Sequence, residues 1–276
     1  VQPVKFDVGE RGRAIKVARK AETLFVQVNS KPLILSIETA TRAGSLALAR
    51  GTELLASYVG DAGSSHSTHL LEEIEKMLDE AGVTLADMDA FSVAAGPGSF
   101  TGLRIGLATV KSFAATLNRP CVGIQTLHAV AHSAGESDAT IALLPAGRGE
   151  VFAQRFAVTE VGIVQPFESP AHIGPGSLLD KVVSIRRLKW AGEGAQIYLE
   201  EIKARALAEG IDFEMTMGKA EAINVDRWVL VKGTEALAAS VARLALASAP
   251  FDDTHTPQNL RAIYVRPSDA EINKRC

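Results

Sequence analysis

The chain has 276 residues, of which 47% are hydrophobic and 22% charged, and a formal net charge of −3. That balance excludes wholesale disorder and a bulk-basic nucleic-acid binder, and the length supplies a core without disulfide staples. The two cysteines, Cys121 and Cys276, are too few for a disulfide framework, and no apolar run reaches the roughly 20 residues of a membrane span. A cytoplasmic protein with no membrane contact is the expectation.

Residues 1–30 carry many Lys and Arg side chains, lack an apolar signal core and read as an N-terminal extension. From Leu33 the pattern changes. Leu33 to Ile37, Ser45 to Arg50 and Glu53 to Val59 read as three strands joined by short turns, an antiparallel meander. A helix follows, with Leu70, Leu71, Ile74, Met77 and Leu78 at one-face spacing and Gly82 as its stop. Ala90 to Ala95 is a strand, Gly96 to Gly102 (GPGSFTG) a glycine-rich turn, and Thr101 to Leu117 a helix ended by Arg119-Pro120. Cys121 to Ile124 and Leu127 to Ala134 add a strand and a helix.

The second half reads as strands at Thr140 to Leu144 and Val151 to Val158 around the turn PAGRGE, then a strand at Leu188 to Ala191. A turn GEGA, a helix near Ile197 to Glu209 and an Ala-rich helix from Thr234 to Ser248 complete it. A polar loop over 251–259 precedes a tail in which Tyr264 and Val265 call for burial. The order βββαβα followed by a β-rich half predicts an α/β fold with mixed sheets. The halves show no clear sequence repeat. The predicted domains are 31–134 and 135–276.

Gly96 to Gly102 is the strongest local signal. Backbone N–H groups at a strand-to-helix turn cradle anions, but a tight turn for close helix–strand packing has the same composition. No Lys-Ser/Thr pair follows it, and its spacing misses the dinucleotide fingerprint. Gly102 and Gly106 lie one turn apart and let something approach closely, either inside the fold or from a partner. Glu38-Thr39 at the end of the first strand suits either a metal–phosphate group or a turn closed by side-chain hydrogen bonds. His66 and His69, and His128 and His132, have ligand-like spacings without a completing acid or cysteine, so no metal site is assigned. Cys121 reads as a small buried hydrophobe. There is no G-x-S-x-G elbow. Arg186, Arg187 and Lys189 form a small basic cluster that reads as a solvated face.

The segments LILSIETATRAGSLAL, HSTHLLEEIEKMLDEAG and VAAGPGSFTGLRIGLATVKSFAATLNRPCVGIQTL resemble the bacterial TsaB family, with formerly glycoprotease-like members. The resemblance is dense over residues 33–134. It continues through RGEVF, GEGA and YVRPSDAE. It implies a two-lobed actin-like ATPase (ASKHA) fold and a place in biosynthesis of threonylcarbamoyladenosine beside the tRNA anticodon. The implied role is that of a non-catalytic subunit that pairs with and activates TsaD, with TsaE as a third component and tRNA reached through the complex.

The catalytic paralogue's histidine pair falls on Thr126 and Val130, which cannot supply imidazole. Pro145 stands where family members carry an acid. The resemblance therefore implies no catalytic residue, no metal and no intrinsic cofactor, with ATP or ADP only in the assembled complex. Glu38, Thr39, Gly96 and Gly98 become the remnant of a nucleotide site. Leu70, Leu71, Ile74, Leu78, Leu103, Arg104, Leu107 and Lys111 become the partner-binding face, which also allows a homodimer when the protein is alone. The competing reading is an independent ATP-dependent enzyme, a small kinase or a metallopeptidase. A direct RNA-binding module is a third.

Overall fold

The computed structural model describes residues 31–61, 63, 66–233 and 235–265. The expected extension over 1–30, the tail from Arg266 onward and the expected helix start at Thr234 lie outside the described residues. The first half follows the pattern of its apolar positions: β1 (Leu33–Glu38), β2 (Ser45–Arg50), β3 (Glu53–Val59), α1 (His66–Ala81), β4 (Ala90–Gly96), α2 (Phe100–Leu117), β5 (Cys121–Gln125) and α3 (Thr126–Ser133). The second half contains β6 (Ser137–Gly147), β7 (Glu150–Val158), β8 (Val164–Pro166), β9 (Ala171–Ile173), α4 (Pro175–Val182), β10 (Arg187–Ala191), α5 (Glu193–Ile197), α6 (Leu199–Ala208), β11 (Asp212–Met217), β12 (Arg227–Lys232) and α7 (Leu237–Leu246).

Among the described residues the strands make two sheets. The first has the order β3-β2-β1-β4-β5, an antiparallel meander continued by parallel β4 and β5. The second has the order β11-β12-β10-β6-β7-β8, with β9 also paired to β7. It again starts with an antiparallel run, β6-β7-β8, and continues through parallel β10 and β12. The halves therefore repeat one topology, which their sequences do not reveal. This is the expected two-lobed α/β actin-like arrangement.

β1 is buried on both faces, which is why its sequence LILSIE is mostly apolar rather than alternating. Leu33, Leu35 and Ile37 pack with Phe91, Val93 and the inner faces of α1 and α2. Ile34 joins Ala90, Val122, Ala242 and Ala245 on the opposite face, beneath α7. Two polar groups on that face satisfy each other: Ser36 Oγ and Ser92 Oγ are 2.5 Å apart. The alanines of α7 leave no bulk between helix and sheet. α7 thus returns from the end of the chain to cover the first sheet, while α3 packs Leu127 and Val130 against Leu144, Phe152 and Phe156 of the second.

The two exchanged helices meet where His132 Nδ1 lies 3.0 Å from Ser240 Oγ. A third buried polar group corrects the sequence reading. Lys189 is fully buried, with its ammonium donating to the carbonyls of Ala134 (3.4 Å), Glu136 (2.5 Å) and Ala220 (2.6 Å). The expected solvated cluster therefore does not exist, because β10 is a central strand and residue 189 faces inward. Arg186 pairs with Asp226 at 3.2 Å instead. The other correction is at Gly192 to Ala195 (GEGA). It opens α5 rather than forming a turn, because Gly192 and Gly194 let the helix start lie directly on Leu143 of β6.

Burial, reinforced by nearby Lys219 and Arg243 against Glu235, lowers the His132 imidazole to about 4. An unfolded chain binds that proton near 6.5, so it holds more protons than the folded chain between the two values. Stability falls as pH drops from about 6.5 toward 4. Urea unfolding at pH 7 and pH 4.5 checks this. His132→Gln is expected to remove roughly 2 kcal/mol of the wild-type loss between those conditions.

Candidate functional site

The turn after β1 is closed by its own side chains. Glu38 is 1% exposed, and its Oε1 accepts the Thr41 N–H at 2.7 Å. Its Oε2 accepts the Thr41 and Ser45 hydroxyls at 2.7 and 3.2 Å. Burial pushes the carboxyl up from its ordinary range, the three hydrogen bonds pull it down, and the net direction is upward. Of the two sequence readings for Glu38-Thr39, this geometry is the side-chain-closed turn.

Thr39 and Ala40 then meet α2 at backbone distance. Thr39 Oγ1 donates to the Gly102 carbonyl at 2.7 Å, and the Ser99 N–H donates to the Ala40 carbonyl at 2.8 Å. A Cβ on Gly102 would lie 1.8 Å from the Thr39 carbonyl oxygen, and one on Gly106 2.4 Å from Thr39 Oγ1. The small-residue stripe of α2 therefore faces inward, toward the hairpin.

The remaining glycines of the turn serve the same kind of contact. A Cβ on Gly98 would lie 2.5 Å from the Ala40 carbonyl oxygen. Gly96, at φ +117°, leaves room for the carbonyl of Ile263, whose N–H donates to Ala95 at 2.7 Å. Two donors at the start of α2 are spent locally. Ser99 Oγ accepts the Gly102 N–H, the Ser99 carbonyl accepts the Leu103 N–H, and Pro97 has none to offer. The hairpin is also tied to the second lobe. The Arg42 N–H donates to Glu193 Oε1 at 2.9 Å, and Ser45 Oγ accepts the Ala238 N–H at 3.0 Å.

Both oxygens of Glu38 already have partners within the turn, and among the described residues no three His, Cys, Asp or Glu side chains cluster as ligands. His128 and His132 do not converge. His132 bonds Ser240, whereas the His128 ring stands edge-on to Phe156 at 4.7 Å and burial lowers its pKa. Burial also raises the Cys121 thiol to about 11, as suits a packed, unreactive side chain.

The α1–α2 face divides sharply. Leu70, Ile74, Leu78, Leu103 and Leu107 are all buried in the first lobe's own core. Leu71 is 62% exposed, Arg104 is exposed and Lys111 is half-buried. Arg104 is held outward by its stack over the Phe100 ring, 4.0 Å from the centroid, and Tyr264 packs on the same ring at 5.4 Å. Sequence reasoning missed Glu193, the group that bridges the lobes. Its GEGA context is a glycine pair around an acid, and only the register of β6 tells which way that acid points.

A family model described as TsaD, tRNA N6-adenosine threonylcarbamoyltransferase, matches residues 59–255. The tRNA threonylcarbamoyladenosine biosynthesis protein TsaB of Escherichia coli (strain K12) is 31% identical over 163 residues, 58% of this chain and 68% of that protein. The tRNA N6-adenosine threonylcarbamoyltransferase of Sphingopyxis alaskensis is 33% identical over 135 residues, but these span only 39% of its length. A crystal structure of an uncharacterized Pseudomonas aeruginosa protein with similarity to peptidase YEAZ superposes with a TM-score of 0.63 at 22% identity. That match covers 85% of this chain and 100% of the other.

The close approach of α2 to the hairpin is expected to tolerate no side chain at residue 102. Gly102→Ala lowers stability by about 3 kcal/mol or more, read from the urea midpoint. Gly176→Ala, where a Cβ meets nothing within 4 Å, is expected to leave it unchanged within about 0.5 kcal/mol.

Proposed function

The chain belongs to the TsaB family, within the wider group matched by the TsaD family model, and on that premise we propose that it is a non-catalytic subunit that pairs with and activates a TsaD threonylcarbamoyltransferase. The observation that carries this reading is the filled hairpin. Glu38 is spent on Thr41 and Ser45 of its own turn, and Thr39 on the start of α2, which supports a packing rather than a catalytic use of this hairpin. Activation then works by differential contact: the subunit binds the competent conformation of its partner more tightly and raises its population. TsaE and tRNA join through the complex, ATP or ADP is held there rather than by this chain alone, and the setting is the cytoplasm.

The docking face is the outer side of α1 and α2. Leu71 of α1 supplies an exposed apolar anchor, and Arg104 and Lys111 of α2 supply charge. The same face, left uncovered, pairs two copies of the chain. The second reading, an independent enzyme, draws support from the transferase name of the matching family model. Nucleotide turnover by the pure protein separates the two.

Leu71→Asp and Arg104→Glu are each expected to weaken binding to TsaD by about thirtyfold, near 2 kcal/mol, with the melting temperature unchanged. Ile74→Asp is different. It buries a charge in the lobe's own core and is expected to unfold it. Titration calorimetry with circular-dichroism melting distinguishes these cases. Wild-type affinity in both surface variants would exclude the α1–α2 face as the docking site.

A further inference from the structure

A cavity of about 470 Å³ opens in the second lobe, between β7, β9 with the loop before it, and α4. Its floor is apolar: Ile141, Ala153, Leu178 and Val182 are all buried. Its rim is polar, with Arg155 and Lys181 as cations and Glu168 as the one acid. The Gln154 side-chain amide donates to the Glu168 carbonyl at 2.6 Å, which fixes the wall.

Two features of Arg155 point to a ligand. Its guanidinium stacks over Phe167, 4.5 Å from the ring centroid, which orients its planar fork. Its Nε is enclosed and has no hydrogen-bond partner, at a cost of about 1–3 kcal/mol, and the residue lines the cavity. Among the described residues neither Arg155 nor Lys181 is ion-paired. Two cations against one acid leave a single positive charge, which favours a monoanion over a dianion. The apolar floor favours a ligand with an apolar body, and the size lies within the range of small-molecule sites.

We propose that this cavity is a binding site for a small carboxylic acid with an apolar body, its carboxylate held by Arg155 and Lys181 and its body seated on the floor. The site lies outside the α1–α2 face and stands independently of the partner-subunit reading.

The test is an amide NMR titration of the full chain with phenylacetate, using benzyl alcohol and inorganic phosphate as comparators. Phenylacetate is expected to give saturable shifts over residues 153–155, 168–173 and 178–182. Arg155→Gln is expected to weaken it about tenfold, the loss of one charged hydrogen bond. Lys181→Gln, on an exposed position of α4, weakens it severalfold without touching the fold and decides the matter if the Arg155 variant is unstable. No saturable shift up to about 10 mM, or equal binding by the stable variants, overturns the proposal. Benzyl alcohol binding as tightly would remove the cations' role, and phosphate binding as tightly would remove the floor's. Either result also overturns it.

Discussion

The first lobe is organised around one close contact, the backbone of α2 against the β1–β2 turn. It exists because residues 102 and 106 have no side chain and Thr39 fills the space with a hydroxyl that also bonds Gly102. That contact sets the height of α2 over the sheet. It thereby decides which side chains of α2 enter the core and which stand in solvent. It also engages the Thr39 hydroxyl and the Ser99 N–H in bonds between the two segments.

The lobes are joined by exchange rather than by a linker alone. α3 leaves the first sheet to cover the second, and α7 returns to cover the first. Their crossing is pinned by His132 and Ser240, while Arg42 and Glu193 tie the facing loops. Lys189 binds three carbonyls from two separate segments, the α3–β6 junction and the loop at Ala220. His132, Ser240 and Lys189, the buried groups among these, each specify one relative placement, since any other leaves them unsatisfied. A surface that selects one conformation of a partner needs such a rigid base.

Much of the first lobe was legible because its signals are strong. β1 and β4 are mostly apolar runs, each broken by one serine before its last residues, α1 and α2 carry clear one-face periodicity, and glycines and prolines mark the turns. The second lobe hid more. β11 (DFEMTM) is a half-exposed edge strand with little apolar pattern, and α4 (PGSLLDKV) is two turns long. β12 (RWVLVK) is a central strand whose charged ends mask its buried middle. Missing it concealed the topological repeat. The site shows a different limit. Periodicity places Leu70, Ile74, Leu78, Leu103 and Leu107 on shared faces, but it does not say whether a face looks inward or outward. The fold turns those residues into core and leaves Leu71, Arg104 and Lys111 outside. Lys189 illustrates the converse, a charge that composition places in water and topology places in the centre of a sheet.

The account's central claim is that this chain activates a catalytic partner without performing the chemistry. Reconstituted threonylcarbamoyl transfer to tRNA by TsaD and TsaE with the threonylcarbamoyl donor, in the presence and absence of this protein, tests it most directly. The account predicts modified adenosine only when the protein is present. Equal modification in its absence would contradict it.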